Sequence, residues 1–195
     1  KSLQGVGVDA LGGSKVVLGG ADSKIKFNID SDNMIMAIRS ATGSSVEING
    51  QELRINAESF GTTEDQGSVY GLYAQNITAD PNVPESDRAS LIVNAENTYV
   101  NVKSAAKGHA GALVAMSQGI LKVNGNLYAS GDDAIVARGG AIVRINESNT
   151  KTVQLIGDVD FNYDKKTSGT SVDSDVLINL SGADSFWQGS ATSSY

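Results

Sequence analysis

The chain contains no cysteine. That excludes disulfides, thiol catalysis and cysteine-ligated zinc, and it fits a protein exported through an oxidising compartment. Proline accounts for 2 residues, tryptophan for 1 and histidine for 1 of 195. Basic side chains are also scarce: 15 Lys and Arg stand against 22 Asp and Glu, giving a net charge of −7 and a pI of about 4.6. Such an acidic chain is a poor ligand for nucleic acid. No apolar run approaches the roughly 18 residues of a membrane span. The opening Lys1-Ser2-Leu3-Gln4-Gly5 shows no signal-peptide pattern, so the chain reads as a mature protein or an excised segment. Runs of Ala, Leu, Glu and Lys with helical spacing are few as well, which argues against a helical bundle.

What the chain has is small residues and β-branched ones. Gly (22), Ser (23) and Asn (15) supply nearly a third of the sequence, and Val plus Ile supply 32 residues. This is the composition of many short strands joined by tight turns. Apolar residues alternate within the segments. Ile25, Phe27 and Ile29 interleave with Lys26 and Asn28, and Leu53, Ile55 and Ala57 with Arg54 and Asn56. One buried face and one wet face are expected from that period.

The segments also repeat. Residues 111–125 (GALVAMSQGILKVNG) and 133–147 (DAIVARGGAIVRINE) match at an offset of 22, and looser copies lie at 36–50 and 90–104. Each holds an apolar–x–apolar triplet: Val46-x-Ile48, Val100-x-Val102, Leu121-x-Val123 and Val143-x-Ile145. Asn49, Asn124 and Asn146 follow directly in three of them. A 22-residue unit accommodates about three short strands with their turns. Seventeen candidate strands, among them Val69–Gln75, Ala110–Met116, Asn126–Ala129 and Ala134–Arg138, then predict five to six stacked coils, with two ways of dealing strands to coils around 69–104. Polar excursions at 58–68, 79–89 and 162–175 interrupt the pattern and are the expected functional loops.

The segments AIVARGGAIVRINE and LSGADSFWQGSA resemble the passenger domains of bacterial autotransporters, and Gly182–Gly189, with Trp187 and Gly189, is the most specific piece of the likeness. The resemblance implies an all-β fold: a right-handed parallel β-helix, a solenoid of five to six coils of three short strands with longer loops between them. It implies one domain over 1–195, a fragment of a longer surface-exposed protein. It further implies an adhesin or binding module on the bacterial cell surface or secreted, not an enzyme, with a host glycan, a host protein or another copy of itself as partner. No nucleic acid, membrane insertion, cofactor or metal is expected. A phage tail-spike slice is a further reading, separable by its trimeric mass.

Catalytic constellations are incomplete. His109 has no nucleophile-elbow Gly-x-Ser-x-Gly to serve, and it reads as a turn residue. Asp132-Asp133 is similar to the paired aspartates of polygalacturonases, which implies a polysaccharide hydrolase as the alternative function. However, the Gly-His-Gly of that family follows its Asp pair, whereas Gly108-His109-Ala110 precedes it here. Asp158-x-Asp160-x-Asn162-x-Asp164 begins like a calcium loop, but Tyr163 and Gly169 occupy the positions that need Gly and Glu. It reads as a strand with an acidic wet face.

Binding is therefore expected on the loops and on outward strand positions. In the excursions the candidates are Asp80, Glu85, Asp87 and Arg88, and Tyr163, Asp164, Lys165 and Lys166. On the strands they are Lys122 and Arg144, one repeat apart and expected to stack as a local basic stripe.

Overall fold

The structure, a computed structural model, describes residues 5–76, 83–162 and 173–192. Seventeen strands are present among them. They are β1 Gly5–Ala10, β2 Lys15–Leu18, β3 Lys24–Ser31, β4 Ile35–Ala41, β5 Ser45–Ile48, β6 Glu52–Ser59, β7 Val69–Gln75, β8 Ser90–Val93 and β9 Asn97–Ser104. The series continues with β10 Ala110–Met116, β11 Ile120–Val123, β12 Asn126–Arg138, β13 Ile142–Ile145, β14 Val153–Asn162, β15 Asp175–Ile178, β16 Phe186–Gln188 and β17 Ala191–Thr192. A four-residue helix, α1, spans Glu64–Gly67.

Every ladder is parallel. Six strands form one sheet in the order β15-β13-β11-β8-β5-β2, and eleven form the other along β1-β4-β7-β10-β12-β9-β6-β3, with β14, β16 and β17 beyond β12. The larger sheet has two arms. One consists of β1, β4, β7, β10 and the C-terminal half of β12, and the other of β3, β6, β9 and its N-terminal half.

The right-handed β-helix expected from the repeat, with three short strands in every coil, is corrected by this topology. The strands form two parallel sheets of eleven and six that wrap one core as a nearly closed, barrel-like wall. The segments Asn126–Ala129 and Ala134–Arg138, predicted as separate short strands, belong to one 13-residue strand with register shifts between Ser130 and Ile135. Gly131 allows that passage: a Cβ there would lie 2.6 Å from the Ala110 carbonyl oxygen. The phase around 69–104 is settled too. Leu121 and Val123 pair with Leu91 and Val93, not with Val100 and Val102, so the wet partner of Lys122 is Ile92 rather than Asn101.

One apolar core runs through the wall. Ile38, Leu72, Leu113 and Ile135 are rung neighbours in the first arm, and all are fully buried. Leu53, Ile55 and Val100 meet them from the second arm, and Leu91, Leu121 and Val143 from the six-stranded sheet. At a corner, Asn94 Nδ2 donates to Asn49 Oδ1 at 3.0 Å and Asn124 Nδ2 to Asn94 Oδ1 at 2.7 Å. Asn49, Asn94 and Asn124 therefore form a side-chain ladder, whereas Asn146 Nδ2 donates to the Lys151 and Asn179 carbonyls. The Trp187 motif adds an edge strand to β14: Trp187 Nε1 donates to the Gly157 carbonyl at 3.0 Å, and Ser185 Oγ accepts the Val153 amide at 3.0 Å.

Candidate functional site

The two arms differ on their outer surfaces. In the second arm the outward residues are wet, as the alternation predicts. Asn56 Nδ2 donates to Asn28 Oδ1 at 3.0 Å, and Ser130 Oγ to Asn101 Oδ1 at 2.9 Å. Tyr99 stacks on Tyr128 with ring centroids 4.8 Å apart, and the Arg54 guanidinium lies 4.0 Å from the centre of the Tyr99 ring. Tyr99 and Tyr128 border a shallow hollow of about 280 Å³ whose other side chains are mostly polar, among them Arg54, Asn56, Asn101 and Gln154.

In the first arm the outward residues build a second apolar cluster. Met36, Tyr73, Val114 and Val136 are buried on the outside of the sheet, with Met34, Tyr70 and Met116 packed against them. Strands buried on both faces read as nearly continuous apolar runs, as in IMAIRSA, VYGLYAQ and AGALVAM. Tyr70 stacks on Tyr73 at 5.1 Å. The Tyr73 hydroxyl donates to Gln75 Oε1 at 2.5 Å, and burial pushes its pKa up to about 12.

A groove of about 230 Å³ opens on this face. Gly111, Val114 and Val136 form its floor, and Tyr70, His109, Glu64, Asp133 and Arg138 stand around it. Gly111 makes the depression: a Cβ there would approach Val114 Cγ2 to 2.7 Å. The rung order Tyr70–Gly111–Asp133–Asp158 places an aromatic ring on one side of that depression and carboxylates on the other.

The acidic residues have separate tasks. Asp132 Oδ2 accepts the amides of Gly108, His109 and Ala110 at 2.9, 3.1 and 3.2 Å, so this carboxylate fixes the turn that leads into β10. Asp158 Oδ1 accepts the Ser190 amide at 2.8 Å. Asp160, 8 % exposed, pairs through Oδ2 with Arg138, while its buried Oδ1 has no hydrogen-bond partner. Asp133 makes none of these bonds. Burial, then the charge of Asp160, pushes its carboxyl up to about 6, against the opposing pull of Arg138.

Those residues predicted as binding positions that are described lie elsewhere. Glu85 and Asp87 form a 3₁₀ turn between β7 and β8, and Arg88 Nε donates to the Val83 carbonyl at 3.2 Å. Lys122 and Arg144 do occupy neighbouring rungs. The expected basic stripe is corrected, however, because Arg144 is paired with Asp175 and lies 3.6 Å from Glu147. Asp80, Tyr163, Asp164, Lys165 and Lys166 fall outside the described residues. The acidic wet face expected over Asp158–Asp160 is half correct, since Asp160 is buried against Arg138. Sequence reasoning missed Glu64, Tyr70 and Arg138. The available indication was the break in alternation across β4, β7 and β10.

No family model, curated protein or solved structure matches the chain. Among the described residues no helix is long and apolar enough to cross a membrane.

Proposed function

We propose that this chain is a binding module of a bacterial surface protein, an adhesin segment that holds its partner at the first-arm groove. The carrying observation is the groove itself: an apolar floor, an aromatic wall and a few polar groups converging on one depression. The exported, surface-exposed setting rests on the autotransporter resemblance and on the absence of cysteine. The hydrolase alternative needs two carboxyl groups with different tasks, one acid and one base or nucleophile. Asp132 is committed to three backbone amides, which breaks the Asp132–Asp133 pair that this alternative requires.

The test is adhesion and bead aggregation by the parent, by Tyr70→Ala and Asp133→Asn, and by a variant with Glu85, Asp87 and Arg88 replaced by Ser. Groove variants that melt like the parent but adhere several-fold less support the reading. Full adhesion by both groove variants, with loss only in the 85–88 variant, returns the contact surface to the loop.

A further inference from the structure

The proposal above leaves the partner's chemistry open among a glycan, a protein and a second copy of the chain. The side chains around the groove narrow it. Asp133 faces Gly111 and Tyr70 across the sheet, Asp158 on the next rung, and Asp132, Asp160, Arg138, Glu64 and His109 around it. Glu64 and Asp133 line the groove beside one guanidinium, Arg138, which is already paired with Asp160. A sialylated or sulfated glycan would meet like charge there. A bare metal ion is poorly served too, because no three acidic or histidine side chains among the described residues converge to hold one.

Two features point to an organic cation. The floor is aliphatic and flanked by the Tyr70 ring, which suits a hydrocarbon stem and an ammonium group beside an aromatic face. Independently, Glu64 and Asp133 line the groove with carboxylates that form no ion pair among the described residues. The net charge of −7 also draws basic partners over distance.

We infer that the first-arm groove is a lysine-recognition site, taking the side-chain ammonium of a basic protein partner between Tyr70, Glu64 and Asp133. This rests on the binding-module reading and specifies its partner as a protein rather than an anionic glycan. The site is also acid-sensitive: below about pH 6 Asp133 becomes protonated and loses its share of the attraction.

The full chain, labelled with ¹⁵N, tests this by titration with Nα-acetyl-lysine methylamide and with its uncharged counterpart Nα-acetyl-norleucine methylamide. At pH 7.5 the lysine probe is expected to shift the amides of Gly111, Val114 and Val136 saturably, and the norleucine probe is not. Lowering the pH to 5.0, or the change Asp133→Asn, should weaken the lysine probe about tenfold, the loss of one close charge partner. Equal shifts from both probes, undiminished binding by Asp133→Asn, or 3′-sialyllactose acting on the same amides overturns the inference. If the lysine probe fails while Tyr70→Ala still abolishes adhesion, the lysine inference falls and the binding-module reading stands. If groove variants leave adhesion intact, both fall.

Discussion

The first and second arms share one sheet and one core, yet the second keeps its outer face wet while the first covers it. Inward residues are equivalent in both: Leu72 and Leu113 in one arm, Leu53 and Ile55 in the other, all fully buried. Outward, the second arm shows Lys26, Arg54, Asn56 and Asn101, and the first shows Met36, Tyr73, Val114 and Val136. A recognition groove with perturbed groups needs a low-dielectric surround, and only the doubly covered arm supplies one. The burial that raises the Asp133 and Tyr73 pKa values is that same cover.

The largest expected effect sets the two outer faces against each other. Val114→Asp should cost roughly 3–5 kcal/mol, because the new carboxylate would be buried without a partner. Asn101→Asp, at an exposed outward position of the second arm, should stay within about 0.5 kcal/mol. Thermal melts of the two variants measure both. Similar losses would erase the difference between the arms.

Glycines give the next contrast. Gly71 points into the core, where a Cβ would stand 2.6 Å from the Ala112 carbonyl oxygen. Gly71→Val should therefore cost about 2–4 kcal/mol through overpacking in denaturant unfolding. Gly111→Ala points outward and meets side chains rather than backbone: Val114 Cγ2 at 2.7 Å, with Tyr70 and Val136 at 3.6 and 3.7 Å. It should cost about 1 kcal/mol and reduce adhesion more than stability.

Asp132→Ala removes the acceptor of three amides and should cost about 1–3 kcal/mol. Hydrogen exchange at Gly108, His109 and Ala110 should accelerate ahead of the rest of β10. Unchanged exchange would show that water replaces the carboxylate.

The smallest effect is a pH dependence. The folded state holds the Asp133 proton more tightly than the unfolded chain, whose carboxyl titrates near its ordinary value of 3.8. Stability from this group is present below about pH 4 and declines as the pH rises through about 6. Asp133→Asn should flatten that decline and melt slightly higher than the parent at pH 7.5. A parent curve without slope between pH 4 and 6 would remove Asp133 as the titrating group.

Much of the wall was legible. Val69–Gln75 and Ala110–Met116 were read to the residue because apolar content and turn residues coincide at their ends. The repeat offset places Lys122 on Arg144 because triplets of the same apolar–x–apolar pattern share one register. The continuity of β12 was not legible, since Ser130-Gly131-Asp132-Asp133 carries turn residues while its backbone remains in the sheet. The charge of Arg144 pointed to a basic stripe only until its partners appeared. Asp175 lies 31 residues away in sequence and cannot be paired by local pattern. The groove escaped for the same reason: Glu64, Tyr70, His109 and Asp133 come from four separate elements.

The absence of native cysteine makes one measurement direct. Val114→Cys and Asn101→Cys each introduce a single thiol, and their reaction rates with a thiol reagent compare the outer faces of the two arms. Cys is a small apolar residue that Val114's site accommodates with little disturbance. The thiol at 101 is expected to react within several-fold of the unfolded chain, and the thiol at 114 at least about a hundredfold more slowly. Equal rates for two folded variants would show that the first arm's outer face is open to water, and that no second covered face exists.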